Sequence, residues 1–517
     1  MLDWIRLCEI QIHRRLSSAR IYAPIGPNPH ACAHTSFSRQ DQAKNGQDRE
    51  SEPAALPGSL NYGAPNQRAA KLRNMKLRDP MPALATSLLS LLSALCNAQT
   101  SPAAGAASGA QALAGYSIEG LNLVGAPVTM PLISDTLLGV ESDFRRTLFS
   151  KGVLLRANVL PRISANLLDP PAPPDQQAYI GHRPTWITGV NPILTADLRQ
   201  LHLRNAQLNI GAAWRWTTWN PAGPKTIALS TLYLYKMWRE GQVEIKAGYI
   251  TNDIEFVGIQ VGGSLATGAQ GVYAVLPFQV GMSYFPLTAP SFNIRVRGPR
   301  FTYVKVGVQR SLDAEGGVST EARNNVGFRF IPKGDRLLLI NEAGYVRTSG
   351  PDSHYAWIRA GYLHNDTPYV NKSNGRAEPG NYCAYGLVDY QIHDAESGSS
   401  GRGYYLGATV MIAPERYNAY HRYYEARVYR KAPFARRPDD VLSIVAAYRS
   451  HSGYVTPSLA AQGKTFWRGS PSLTGNYSMH VSRGNYLTLA LGYVRGAAIT
   501  PRVADALVFT TNWGLYF

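Results

Sequence analysis

Arg215, Glu244, Lys246, Lys305, Glu342, Trp357, Arg359, Asp389, Gln391, Glu425 and Arg427 sit at one parity of short segments in which polar and apolar residues alternate. Guanidinium, carboxylate and amide groups hold hydroxyls and anions by charge-assisted hydrogen bonds, and an indole ring offers a flat apolar face. Strung along alternate positions, such groups suit reversible contact with small polar solutes. Bond-making chemistry has a poorer case. Hydrolysis needs a nucleophile, a histidine and an acid converging on one point, and the nearest approach is His451 between Ser450 and Ser452, with no segment to supply the rest. Neither a metal nor a cofactor is expected. Of 4 cysteines, Cys8, Cys32 and Cys96 lie within residues 1–98. Cys383 is left alone, which makes neither an intrachain disulfide nor a zinc site.

Strands must position these side chains, because from about Val153 to Phe517 the dominant period is two. Val243, Ile245, Ala247 and Tyr249 alternate with Gln242, Glu244, Lys246 and Gly248. The Glu240-Gly241 turn joins that run to an earlier one carrying Ile227, Leu229, Tyr233 and Tyr235, which predicts a hairpin. Further runs are Val272, Ala274, Leu276, Phe278, Val280, Met282 and Tyr284; Val304, Val306 and Val308; Ala356, Ile358, Ala360 and Tyr362; Gly386, Val388, Tyr390 and Ile392; and Tyr424, Ala426 and Val428. Each has about the length of a tilted membrane crossing. A soluble sandwich alternates in the same way, so other features must select between them. Aromatic residues gather at strand ends, as at Trp214 and Trp216 or Tyr423 and Tyr424, where membrane interfaces favour them. Leu507, Phe509, Thr511, Trp513, Leu515 and Phe517 share one parity at the end of the sequence. Trp513, Leu515 and the final Phe517 resemble the signal that barrel-assembly machinery reads on bacterial outer-membrane barrels.

Composition agrees. With 30 Tyr against 14 Phe, 47 Gly and a mean hydropathy of -0.19, the chain suits β-structure wet on one face and apolar on the other. Past the first hundred residues no apolar run reaches about 18 residues, which excludes ordinary helical spans. The net charge of +18 stays basic beyond residue 98. Its lysines and arginines are scattered and no recognition motif accompanies them, so nucleic acid is excluded as a partner.

Residues 75–98 read as a secretory signal: Lys76 and Arg78, then apolar Ala83 to Leu95, then small Ala98. Leu95 before Cys96 is too large for lipoprotein processing. Residues 1–74 are then either an over-extended start, with Met75 or Met81 as initiator, or a disordered leader. Residues 99–133 are expected to be flexible. Residues 134–152 are expected to form a short amphipathic helix, capped by Ser134 or Asp135 and ended at Gly152, with Leu137, Val140, Phe144 and Leu148 at helical spacing. The barrel would occupy 153–517.

Arg437-Pro438-Asp439-Asp440-Val441-Leu442, leading into Val445-Ala446-Ala447-Tyr448, resembles a turn and late strand of the carbohydrate-selective, OprB-type porins. Gly380-Asn381-Tyr382 with Tyr385 to Gln391, Asn341-Glu342-Ala343-Gly344-Tyr345 and Asp505-Ala506-Leu507-Val508 resemble other strands of that family. The N-terminal helix departs from the pattern: Leu138-Gly139-Val140-Glu141-Ser142-Asp143-Phe144-Arg145 stands where the family has Trp and Gly-Leu-Arg. The resemblance implies an all-β transmembrane barrel of about 16 antiparallel strands in a Gram-negative outer membrane. It further implies passive diffusion of small carbohydrates or other small polar solutes, no catalysis, contact with outer-membrane lipid, and room for an oligomer. The basic excess favours anions in the lumen. The competing readings are a plugged or fatty-acid-type channel and a barrel enzyme.

Overall fold

The computed structural model describes residues 118–122, 125, 131–220, 226–258, 275–350, 353–394 and 401–517. Contacts divide the chain into Met1–Ala104, wholly outside those residues, and Gly105–Phe517, which holds everything described below. The expected leader and signal therefore lie outside the described residues.

The alternating runs form one sheet. Its first strand comes in two pieces, β1 (Val153–Val159) and β2 (Arg162–Asn166), each paired with β3 (Thr185–Asp197) on one side. The break falls at Leu160-Pro161, where proline lacks the amide a ladder requires. Then follow β4 (Ala206–Thr217), β5 (Thr226–Trp238), β6 (Val243–Ile250), β7 (Ala289–Arg297), β8 (Thr302–Arg310), β9 (Leu337–Arg347) and β10 (Ala356–Asn365). A two-stranded ribbon, β11 (Tyr369–Val370) with β12 (Ala377–Glu378), stands in the next connection. The sheet resumes with β13 (Asn381–Asp394), β14 (Gly403–Ile412), β15 (Tyr420–Lys431), β16 (Val441–His451), β17 (Gly469–Ser482), β18 (Asn485–Val494) and β19 (Ala506–Tyr516). β19 pairs with both β1 and β2, closing a barrel of 16 antiparallel strands.

Side-chain parity follows the pleat. Trp214, Val304 and Ile444 are 48%, 53% and 57% exposed on the outer face, whereas their strand neighbours turn inward and are mostly buried. Connections 239–242, 298–301 and 483–484 share the rim at which β19 ends, and the opposite rim carries 167–184, 251–288, 311–336 and 452–468. Short turns mark the periplasmic rim of such barrels and long loops the outer one. At the C-terminal end, Trp513 lies on the outer face with its indole Nε1 2.5 Å from Asn485 Oδ1. The backbone of Phe517 exchanges hydrogen bonds with Ala157.

Two stretches fold into the barrel. Near the N-terminus, Leu121 and Ile133 bury against Leu154 of β1, so part of the stretch expected to be flexible is packed. Within 134–152 only α1 (Asp143–Ser150) is α-helical, preceded by a 3-10 turn at Ile133–Asp135. Gly152 ends it at φ 72, the left-handed conformation glycine favours.

The second stretch joins β6 to β7 through α2 (Asn252–Glu255) and α3 (Val275–Gln279). The apolar run expected to be a strand from Val272 to Tyr284 is in fact this helix followed by irregular chain, with Val272 and Ala274 outside the described residues. Pro277 could not serve a central ladder. Leu276, Val280 and Met282 are buried because protein surrounds them, whereas an alternating strand is covered on one side only. With Phe256 and Val257 they pack on an apolar patch of the inner wall: Leu338 and Ile340 of β9, Leu363 of β10, Cys383, Tyr385 and Leu387 of β13, Met411 of β14 and Tyr423 of β15. Tyr423, expected at the lipid interface beside Tyr424, faces this core; only Tyr424 is exposed.

Leu363→Ala opens a void between wall and segment at a cost of about 2–5 kcal/mol. The variant is expected to unfold at lower denaturant concentration in detergent and to be cleaved faster by protease within 251–288. An unchanged cleavage rate would mean that the apolar contact does not hold the segment.

Candidate functional site

The inner wall carries the side chains singled out by parity. Glu244, Lys246, Lys305, Glu342, Trp357, Arg359, Asp389, Gln391, Glu425 and Arg427 are all buried on it, and Arg215 is half-buried on the inward parity of β4. Most of them fall into two groups, joined by an Arg359–Asp389 ion pair at 3.9 Å.

Around Arg427 the wall is a closed ionic network. Its guanidinium donates to both Asp389 oxygens at 2.9 and 2.7 Å, to Glu425 Oε1 at 2.7 Å and to Thr409 Oγ1 at 2.9 Å. Tyr423 donates to the other Glu425 oxygen at 2.5 Å. Such bidentate pairing satisfies a planar cation that would otherwise be costly to bury. Inward Gly407 leaves the room in which the Arg427 side chain lies flat; a Cβ there would collide with the guanidinium.

Glu342 anchors a second group. It accepts from Tyr303 at 2.9 Å and Tyr385 at 2.8 Å, and Lys305 Nζ lies 3.4 Å away. Trp357 donates to the Tyr303 hydroxyl at 3.1 Å, and the Arg359 guanidinium stacks 3.4 Å above the Trp357 ring. The Glu-x-Gly spacing of 342–344 has a reason here: a Cβ on Gly344 would come within 2.5 Å of the Tyr303 ring. Gln391 is a brace. It accepts from Ser349 Oγ and Tyr355 N and donates to Arg402 O, tying the chain between β9 and β10 to the start of β14.

Three wall cations hold the in-folded segment. Arg359 donates twice to the Val257 carbonyl, at 3.0 and 2.6 Å, and Lys305 donates to the Glu255 carbonyl. Lys246 pairs with the Glu255 carboxylate at 2.5 Å and donates to the Gly125 carbonyl at 3.1 Å. Cations at carbonyls that leave a helical turn are well placed. The far end is held by Gln279, whose side-chain oxygen accepts from Ala419 N and Tyr420 N.

The segment's apolar side chains pack against β9 to β15, its Asn252 bonds Ser291 and Asn293 of β7 and Gln309 of β8, and two recesses stand in the wall from β1 to β8. One recess is lined by Glu244, Lys246, Glu255, Asn293, Arg295 and Lys305, with Phe256 and Ile294 beside them. Arg295 and Arg297 both reach Glu244, the latter at 3.0 Å. A second recess is lined by Asn122, Thr136, Arg156, Asn158 and Asn191 together with Ile193, Tyr516 and Phe517. Sequence reasoning missed Arg156, Asn158, Asn191, Arg295 and Arg297. Inward parity on β1, β3 and β7 was the available signal for them. Glu255, Phe256 and Val257, also missed, left no periodic trace.

Asp253 of α2 is buried, and its Oδ1 has no hydrogen-bond partner among the described residues. Burial, reinforced by the Glu255 carboxylate, pushes its carboxyl up to about 7. A carboxyl raised in the folded state costs nothing below its ordinary value of 3.8. It weakens packing progressively as pH rises from there to about 7, by an amount on the order of a few kcal/mol. Asp253→Asn is therefore expected to raise the unfolding temperature at pH 8 and to flatten the decline between pH 5 and 8; a decline parallel to that of the unsubstituted protein would refute the assignment. Arg427→Leu leaves Asp389 and Glu425 without their cation and should cost about 3–5 kcal/mol, measured by denaturant unfolding in detergent. Arg430→Leu, on the outer parity of the same strand, should cost far less.

A family model described as carbohydrate-selective porin, OprB family, matches residues 217–517. Among solved structures, the high-pH structure of Pseudomonas putida OprB superposes with a TM-score of 0.62 at 16% identity, covering 74% of this chain and 98% of that one. That likeness shows a shared barrel fold. The low-pH structure of the same protein gives 0.49 at 14% identity, covering 74% and 99%. The outer membrane channel DcaP of Acinetobacter baumannii gives 0.43 at 8%, covering 71% and 97%. No curated protein matches the chain.

Proposed function

This chain belongs to the OprB family of carbohydrate-selective porins, and on that footing we propose that small carbohydrates and other small polar solutes cross its barrel beside the in-folded segment, along the wall formed by β1 to β8. The observation that carries this reading is the division of the lumen. Apolar packing and ion pairs occupy the side of β9 to β15, while two spaces toward β1 to β8 present guanidinium, ammonium, carboxylate and amide groups beside apolar neighbours such as Phe256, Ile294, Ile193 and Phe517. A hydroxylated solute exchanges its water for such groups at little cost. Diffusion is passive and selection rests on width and lining.

In this reading the residues singled out by parity divide their labour. Glu244, Lys246 and Lys305 border the path together with Arg295 and Arg297. Glu342, Trp357, Arg359, Asp389, Gln391, Glu425 and Arg427 are positioning residues that keep wall and segment in place. Arg215 faces the lumen from β4. The protein is a channel of the outer membrane and carries out no covalent step. A fatty-acid channel would need a wholly apolar pocket near the N-terminal segment, where Arg156 and the amides of Asn122, Asn158 and Asn191 interrupt the apolar lining of Pro131, Ala157, Ile193 and Phe517. A hydrolase is equally ill served: His451 Nδ1 lies 2.5 Å from the Trp467 carbonyl, and Ser452 donates to the Glu415 carbonyl.

Liposome swelling tests the reading. Monosaccharides should enter faster than disaccharides, and impermeability to every sugar would sink the proposal. Arg359→Ala removes both donors to Val257 and is expected to raise single-channel conductance and blunt the size discrimination. Cations along the path should give a mild anion preference in reversal-potential measurements; clear cation preference would exclude that assignment of the lining.

A further inference from the structure

The connection 311–336, from β8 to β9 on the outer rim, does not stay above its own strands. After α4 (Gly317–Arg323) it doubles back past β7 and lies on β5 and β6. Leu229 N donates to Val326 O at 3.1 Å, and Tyr249 donates from its hydroxyl to Phe328 O at 2.7 Å with its ring against the Phe328 ring. Both strand residues point outward. Tyr249 shares its side of the sheet with Leu232, its register partner, opposite inward Lys246. Leu229 pairs with exposed Ala212 beyond the register shift of β4 and β5. Leu229 is nonetheless buried, because the strap covers it.

The strap is built rather than loose. Arg323 bridges Asp313 and Asp335 at its base, Asn324 Oδ1 accepts from Arg329 N, and Arg310 donates to Arg329 O. On this fixed backbone Phe328, Phe330 and Ile331 are 56%, 66% and 67% exposed. Phe328 joins this group to the apolar outer face of the barrel through its ring contact with Tyr249. Arg329 and Lys333, interleaved with them, are exposed, and neither has a carboxylate within ion-pair distance among the described residues. Apolar side chains beside unpaired cations at the edge of a lipid-facing surface form the pattern of an interfacial anchor.

We propose that residues 326–333 insert Phe328, Phe330 and Ile331 into the outer leaflet and hold the phosphate of an anionic lipid headgroup with Arg329 and Lys333. The anchor is separate from the solute path, since it lies on the opposite side of the wall. It would fix the barrel's depth on one flank and pin the connection whose other end begins β9, where the inner wall meets the in-folded segment.

The test places a nitroxide label on Ile331→Cys in the full chain, with the unsubstituted protein, whose own cysteines take the same reagent, as the subtraction control. Vesicles of phosphatidylcholine alone and of phosphatidylcholine with phosphatidylglycerol are compared with detergent-free nickel chelate and oxygen as relaxation agents. Insertion predicts a several-fold rise in the oxygen-to-chelate accessibility ratio, larger with phosphatidylglycerol, and loss of that increment in Arg329→Gln/Lys333→Gln. A label equally open to chelate in both vesicles overturns the proposal. So does protection that comes with spin–spin broadening and vanishes on dilution with unlabelled protein, because a second copy would then cover the patch. Sugar-driven swelling of the same vesicles reports separately whether the channel is folded and conducting.

Discussion

Every amide and carbonyl of a strand in lipid must be paired within the protein, and only a closed sheet leaves no edge to pair. The return of β19 onto the two pieces of the first strand meets that constraint here, and the rest follows from it. Closure gives each strand one face in lipid and one in the lumen, which forces the two-residue period. It also forces the chain to place its ionised residues inside, because a charge on the outer face near the membrane centre would cost several kcal/mol.

An ionised wall creates a second problem, since charges crowded together in a partly filled lumen need partners. The barrel answers with two arrangements. Arg427 bridges Asp389 of β13 and Glu425 of its own strand, with Arg359 as a further cation 3.9 Å from Asp389, so that stretch of wall is settled. Arg359, Lys305 and Lys246 instead spend part of their hydrogen-bonding capacity on the backbone of the in-folded segment. The same side chains that make the wall polar thus hold the element that narrows it. Charge on the wall and width of the path are coupled through these contacts.

Much of this was legible in the sequence because period two is a direct reading of a pleat exposed to two solvents. The hairpin at Glu240-Gly241, the inward parity of Glu342, Arg359, Asp389 and Arg427, and the outward parity of Trp214 and Trp216 all follow from alternation alone. The Arg437-Pro438-Asp439-Asp440 turn carries its own explanation. Buried Asp440 accepts from Arg437 at 2.8 Å and from His480 N at 2.9 Å, so the turn is locked to β17. What alternation could not separate was function within the inner face. A lumen-facing arginine that braces the wall and one that borders the path have the same parity, and only partners distinguish them.

The in-folded segment left a different kind of trace, in the strands it covers. Where a wall meets water inside and lipid outside, the pattern alternates; where protein covers the inner face, both faces turn apolar and alternation fails. Leu337-Leu338-Leu339-Ile340 at the start of β9 is such a failure, and Val410-Met411-Ile412-Ala413 at the end of β14 is another. Both lie toward the outer rim, and Leu338, Ile340, Met411 and Ala413 meet the segment. The described part of the apolar run that mimics a strand, with Leu276, Phe278, Val280 and Met282, is the complementary half of the same contact. In a barrel sequence, then, an apolar run between hairpins and a local loss of alternation several strands later are two signs of one event, the burial of a loop against the inside of the wall.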